Sequence, residues 1–191
     1  MINKIQQEKE NLRKDIQMKR VRFNSFKKQR AHERIQKHLY SLDLFQKSKM
    51  ICFYISTKEE VDTKEIIIKE LFLNEREIVV PKIHKGSLKL YKINKWIDLE
   101  IGKYGIEEPK KGMLEVDIEK IDLFIVPGVA FDKNCVRLGH GGGYYDKLLQ
   151  KTRAMKIGLG YYFQILPKIP YEEHDERLDY IISERGIIKM V

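Results

Sequence analysis

The chain reads as an α/β protein with a mainly parallel central sheet flanked by helices and a basic helical segment at its N-terminal end. Three observations predict this. Met50-Ile51-Cys52-Phe53-Tyr54-Ile55 and Leu123-Phe124-Ile125-Val126 are continuous apolar runs of strand length, as strands buried on both faces require. A helix-like stretch separates the first run from Ile78-Val79-Val80-Pro81, giving the strand–helix–strand order of a parallel sheet. The net charge of +9 is confined to residues 1–50, which hold 14 Lys/Arg and 5 Asp/Glu; the remaining residues hold 23 of each.

Taken in order, residues 2 to about 23 carry Ile2, Ile5, Leu12 and Ile16 at helical spacing, with Lys9 on the same line. Lys9 and Arg13 stand four apart and share one helix face, where solvated charges are the ordinary outcome. Asn24 or Ser25 caps a second helix running to about Phe45, with Ile35, Leu39 and Leu42 on its apolar face. His32 and His38 read as surface residues there. The strand at 50–55 follows, then a turn over Ser56–Glu60. A helix capped by Asp62 or Thr63 runs through Phe72. Leu88-Lys89-Leu90-Tyr91 alternates like a half-exposed strand.

Residues 94–118 lack periodicity and read as a long loop, in which Trp96 and Tyr104 form an aromatic wall or anchor the loop to the core. Ile121–Val126 is the central strand. A helix follows over about 143–151, then a strand over 156–161. A loop over 164–178 carries the acidic cluster Glu172-Glu173-His174-Asp175-Glu176. Two strands, 180–183 and 187–191, turn through Glu184-Arg185-Gly186. The whole forms one domain over 1–191, with helices 1–48 packing on a sheet-containing core, 49–191.

Composition narrows the class. No apolar run approaches the ~20 residues that span a bilayer, and the polar N-terminus is not a secretory signal. Cys52 reads as a core residue and Cys135 as an accessible loop residue. Two such cysteines form no metal or disulfide framework, so a cytoplasmic setting is expected. The basic helices suit nucleic acid or an anionic small molecule equally.

The chemistry concentrates in Pro127-Gly128-Val129-Ala130-Phe131-Asp132 and Arg137-Leu138-Gly139-His140-Gly141-Gly142-Gly143-Tyr144-Tyr145-Asp146. Four glycines fall within five residues, between a strand and a helix. Backbone amides there can cradle phosphate, although a tight structural turn has the same composition. The pattern is not a dinucleotide fingerprint, because Tyr144 stands where the third glycine belongs. No Gly-Lys-Ser/Thr of a Walker loop and no Gly-x-Ser-x-Gly elbow is present.

The two stretches together resemble the signature of the 5-formyltetrahydrofolate cyclo-ligases, also called methenyltetrahydrofolate synthetases. Lys9-x-x-Leu12-Arg13 and Ile106-Glu107-Glu108-Pro109 resemble further family segments. The resemblance implies that ATP, with Mg²⁺, phosphorylates the formyl oxygen of 5-formyltetrahydrofolate. Ring closure then gives 5,10-methenyltetrahydrofolate, ADP and phosphate. It implies catalytic roles for Lys9 and Arg137, and ATP contacts from Lys9, Arg13, Arg137, Leu138, Gly139, His140, Gly141, Gly142, Gly143, Tyr144 and Tyr145. It places folate contacts at Ile55, Glu60, His140, Gly141, Gly142, Gly143 and Tyr144, with Trp96 as a further ring contact, and Mg²⁺ on Asp146 and Asp175. The expected partners are folate and ATP, with no nucleic acid or membrane, and the expected state is a monomer. A nucleic-acid-binding protein, a sugar-phosphate isomerase and a CoA-transferase-like enzyme are the competing readings.

Overall fold

The structure is a computed structural model that describes residues 4–102, 105–173 and 175–190. Ile2, Tyr104, His174 and Val191, which entered the sequence reading, lie outside the described residues. The chain opens with α1 (Lys4–Arg22) and α2 (Ser25–Tyr40), then a short α3 (Asp43–Lys47). It continues through β1 (Met50–Phe53), α4 (Lys64–Leu73), β2 (Glu77–His84) and β3 (Ser87–Ile93). A small hairpin, β4 (Leu99–Ile101) and β5 (Glu107–Pro109), precedes β6 (Leu123–Val126), β7 (Ala130–Asp132) and β8 (Arg137–Leu138). Then come α5 (Tyr144–Leu149), β9 (Met155–Leu159), β10 (Ile165–Leu166), β11 (Tyr180–Ser183) and β12 (Gly186–Lys189).

The central sheet has seven strands in the order β12-β11-β9-β6-β1-β2-β3. Its five inner strands are parallel; β3 and β12 run antiparallel at the two edges. This is the fold class the apolar runs predict. Alternation along the strands builds two cores. Ile51, Phe53, Ile78, Val80, Leu123 and Ile125 face α2, α3 and α4. Cys52, Val79, Phe124 and Val126 face the opposite side, with Leu148 and Leu149 of α5. Asn24 caps α2 by accepting from the amides of Phe26 (2.9 Å) and Lys27 (3.3 Å), worth about 1 kcal/mol. The helix breaks at Ser41, so the single helix expected to reach Phe45 is two.

Three expectations are corrected by packing. Residues 94–118 hold the β4–β5 hairpin, tied down by Lys82 to Glu108 (3.0 Å) and by Lys64 to Glu107 (2.8 Å). Cys135 is buried, because the turn from β7 to β8 folds inward and its carbonyl accepts from the Leu178 amide (3.0 Å); burial pushes its thiol up to about 11. His32 is also buried, since it shares the inner face of α2 with Ile35 and Leu39.

A second, three-stranded sheet, β10-β7-β8, sits beyond the end of β6. Helix α1 packs on it through Ile16, against Val129, Ala130, Val136 and Leu138. Burying a side chain of Ile16's size contributes ~1.5–3 kcal/mol. The ring of Phe131 lies where Gly158 and Gly160 leave space for it: a methyl at Gly158 would stand 2.5 Å from the ring.

Candidate functional site

The chain leaves β1 and turns to one side through α4 into β2. It later returns through β6 on the other side of β1. Loops after β1 and β6 therefore diverge at their carboxyl ends, the usual place for a ligand crevice in such a sheet. A cleft of about 760 Å³ opens there. Tyr54, Ile55 and Glu60 line it from the turn after β1, and Pro81, Lys82, Ile83 and Leu88 from the β2–β3 hairpin. Ile106, Glu107 and Glu108 add a wall from the β5 region, and Pro127 and several of residues 137–146 close the far side.

Glu60 occupies one end. Its carboxylate is buried, and Oε2 accepts from the Thr57 amide (2.9 Å) and hydroxyl (3.1 Å). Its Oε1 lies 3.5 Å from Nε2 of His140, which reaches across from the glycine loop. Burial alone would raise its pKa. His140, the Thr57 amide and the nearby Arg20 charge overturn that effect and hold the carboxyl below its usual range. An ionised acceptor is therefore presented at neutral pH. Ile55 and the Tyr54 ring supply the apolar surface beside it.

The glycine loop forms the other end. Gly141 (φ +99°) and Gly143 (φ +64°) adopt left-handed backbone that a side chain would strain, immediately before α5. A methyl at Gly142 would stand 2.9 Å from the Tyr144 ring. Gly139, His140, Gly142, Gly143, Tyr144 and Tyr145 all line the cleft. Arg137 lies beneath them, almost fully buried. Its Nη2 donates to Oδ1 of Asp146 (2.5 Å) and its Nη1 to the Pro127 carbonyl (3.3 Å), while its Nε has no partner among the described residues. The guanidinium also faces the Tyr145 ring, 5.8 Å from its centre.

Helix α1 approaches the same loop from outside. Arg13 Nε donates to the Gly139 carbonyl (2.8 Å), and its guanidinium sits beside Gly141. Arg20 Nη2 donates to the Gly128 carbonyl (2.5 Å). Lys9 is buried between Glu172 (2.8 Å) and Asp175 (2.6 Å). Burial lowers the pKa of Lys9, but the hydrogen bonds to Asp175 and Glu172 more than reverse this and hold it above its usual range.

The structure thus brings Ile55, Glu60, Arg137, Gly139, His140, Gly142, Gly143, Tyr144, Tyr145 and Asp146 around one cleft. Lys9, Arg13, Gly141, Leu138 and Asp175 are not among its lining residues. Leu138 points into the apolar cluster under α1, so only its backbone is near the loop. Trp96 stands in a 3₁₀ turn, partly buried against the core as the anchoring alternative expects, and is not among the lining residues of the cleft. Sequence reasoning missed Arg20, although its spacing of seven from Arg13 puts both on one face of α1. It also missed Pro81, Lys82, Ile83 and Leu88, which an edge hairpin's alternation does not mark as cleft residues.

Mg²⁺ takes one or two carboxylates and fills its remaining positions with phosphate oxygens and water. Asp146 fits such a role better than Asp175: it reaches the cleft beside the glycine loop, although its Oδ1 is engaged by Arg137 (2.5 Å). Asp175 fits poorly, because Oδ2 is held by Lys9 and by the Glu172 amide (2.8 Å). Among the described residues no group of three or more His, Cys, Asp or Glu converges to cage an ion.

Comparison with known proteins bears on the family and the fold. The profile of the 5-formyltetrahydrofolate cyclo-ligase family matches residues 5–184. A probable 5-formyltetrahydrofolate cyclo-ligase from Schizosaccharomyces pombe is 32% identical over 175 residues, covering 82% of this chain and 85% of that protein. The 5,10-methenyltetrahydrofolate synthetase of Aquifex aeolicus, solved by NMR, superimposes with a TM-score of 0.87 at 35% identity, over 95% of this chain and 92% of that one. A 5,10-methenyltetrahydrofolate synthetase from Mycoplasma pneumoniae gives 0.75 at 28% identity, over 92% and 98%.

Proposed function

This chain belongs to the 5-formyltetrahydrofolate cyclo-ligase family and is one of its enzymes, and on that premise we propose that it converts 5-formyltetrahydrofolate to 5,10-methenyltetrahydrofolate at the expense of ATP. The observation that carries this reading is the single cleft with Glu60 at one end and the glycine loop with Arg137 at the other. Its volume of about 760 Å³ is within the ~300–1,000 Å³ usual for small-molecule sites. One end accepts hydrogen bonds from a flat, N–H-bearing heterocycle. The other offers backbone donors and a guanidinium to phosphate.

The formyl oxygen attacks the γ-phosphorus and the bond to the ADP oxygen breaks. The folate N10 then attacks the activated formyl carbon, the carbon–oxygen bond breaks with release of phosphate, and N10 gives up its proton. Such a sequence needs alignment and charge stabilisation more than covalent help from protein. Glu60 anchors the pterin ring by its N–H groups. Ile55, Tyr144 and Tyr145 pack the rings, which excludes water. The loop amides of Gly139–Gly143 and the Arg137 guanidinium hold the phosphates, and Arg137 offsets charge on the transferring group. His140 spans the gap between the two ends. Lys9 and Arg13 add positive charge behind the loop, and Lys9 reaches phosphate once it releases the acidic pair. Asp146 would hold the nucleotide's Mg²⁺, which supplies charge neutralisation on the phosphate oxygens; Asp175 keeps Lys9 in place.

The test is the near-ultraviolet absorbance of methenyltetrahydrofolate with purified protein, 5-formyltetrahydrofolate, Mg²⁺ and ATP. Product should form with one ADP per ring closed. No absorbance gain, or gain without ATP, would sink the assignment.

A further inference from the structure

The turn that carries Glu60 is held in an unusual way. Three consecutive residues each place a backbone polar atom within hydrogen-bonding reach of a buried ring side chain. The Tyr161 hydroxyl donates to the Glu60 carbonyl (2.9 Å). The Tyr54 hydroxyl donates to the Val61 carbonyl (2.8 Å). The Asp62 amide meets Nε2 of His32 at 3.3 Å. The rings come from three places: Tyr54 directly after β1, Tyr161 after β9 and His32 from α2. All three are buried, Tyr161 completely.

Tyr161 and His32 are themselves joined, with Nε2 lying 2.5 Å from the hydroxyl oxygen. With a proton on Nε2, His32 donates to Tyr161, and Tyr161 directs its own proton to the Glu60 carbonyl. With the proton on Nδ1, Nε2 accepts from Asp62. Burial lowers the His32 pKa, so the ring is neutral in either case. The Tyr161 ring is fixed by Phe23 and Phe163, with ring centres 4.9 and 5.6 Å away. Its hydroxyl cannot swing away without disturbing that stack. Neither Tyr161 nor His32 lines the cleft.

We infer that Tyr161, braced by His32, is a positioning residue for Glu60: it fixes the turn so that the carboxylate points into the cleft, and thereby sets affinity for the heterocyclic substrate without touching it. The inference rests on the proposed role of Glu60. It makes recognition of the substrate ring depend on a hydroxyl carried just after β9, a strand that contributes no residue to the cleft wall.

Tyr161→Phe removes one oxygen and keeps the ring. The KM for 5-formyltetrahydrofolate should rise about five- to tenfold, as expected for a lost buried hydrogen bond. The KM for ATP and kcat should stay within about twofold. His32→Gln, approaching the hydroxyl from its other side, should move the same KM in the same direction, and it carries the test if the Phe variant does not fold. In the Glu60→Gln background Tyr161→Phe should add less than about twofold, because both act through one carboxylate. An unchanged folate KM in a folded variant, equal rises in both KM values, or full multiplication in the double variant would each overturn the inference. Should the wild-type protein make no methenyl product, the reaction assignment falls instead. The Kd of 5-formyltetrahydrofolate, measured by calorimetry without ATP, then tests the brace by the same ratios.

Discussion

The two ends of the cleft are built on opposite principles. At the Glu60 end one carboxylate is fixed by short-range restraints: Thr57 holds its oxygen, and the Tyr161 and Tyr54 hydroxyls hold the backbone. At the glycine-loop end cations are plentiful, but each is engaged. Arg137 holds Asp146, Arg13 holds a carbonyl, and Lys9 holds Glu172 and Asp175. The first end is held rigid before any ligand arrives, which suits the neutral ring proposed for it. The second keeps Arg137 and Lys9 paired with carboxylates and Arg13 on a carbonyl, and in the proposed reaction phosphate would take over these partners. A buried cation left without a partner would cost several kcal/mol, so this pairing is what lets the folded protein carry them.

The contrast can be broken by experiment, beginning where the loss should be greatest. Arg137→Ala should lower kcat/KM by about 10³-fold or more, the scale of losing an arginine that stabilises a transferring phosphoryl group. The loss should fall on kcat and on ATP, as steady-state kinetics would show; a loss confined to folate KM would dissolve the division of labour. Glu60→Gln should raise folate KM roughly thirtyfold with ATP KM unchanged, as for a charged hydrogen bond.

Lys9→Ala should raise ATP KM by about tenfold and lower the melting temperature by a few degrees, because Glu172 and Asp175 lose their cation. The folded pKa of Lys9 lies above its ordinary 10.5. Its contribution is therefore complete below that value and fades as pH rises through the folded pKa. The difference in melting temperature between wild type and variant should hold steady near neutrality and shrink in strong alkali. Trp96→Leu should change least. It touches neither end, and both KM values should stay within about twofold of wild type by the same kinetics.

Much of this was legible in the chain itself. Buried parallel strands need uninterrupted apolar runs, and those at 50–55 and 123–126 mark β1 and β6, between which the cleft opens. The glycine cluster marks the loop because the left-handed backbone at Gly141 and Gly143 would strain any residue with a side chain. Strands β7, β8 and β10 were illegible, being two or three residues long, too short for alternation to register. His32 carried a signal that polarity masked: with Ile35 and Leu39 it lies at the spacing of a buried face. Trp96 was left between two readings because its surroundings depend on which way the β4–β5 hairpin folds, and local composition does not determine that.

The contacts of α1 bear on the birth of the protein. Arg13 meets a residue 126 positions further along, and Lys9 meets partners 163 and 166 positions away. At ~5–20 residues per second a ribosome needs roughly six to thirty-three seconds to supply them. Throughout that interval the helix lacks the surface that covers Leu12 and Ile16 and the partners that engage Lys9 and Arg13. Helix α1 thus settles long after it is made, and the nascent chain offers a basic, half-apolar helix to whatever attends it at the exit tunnel.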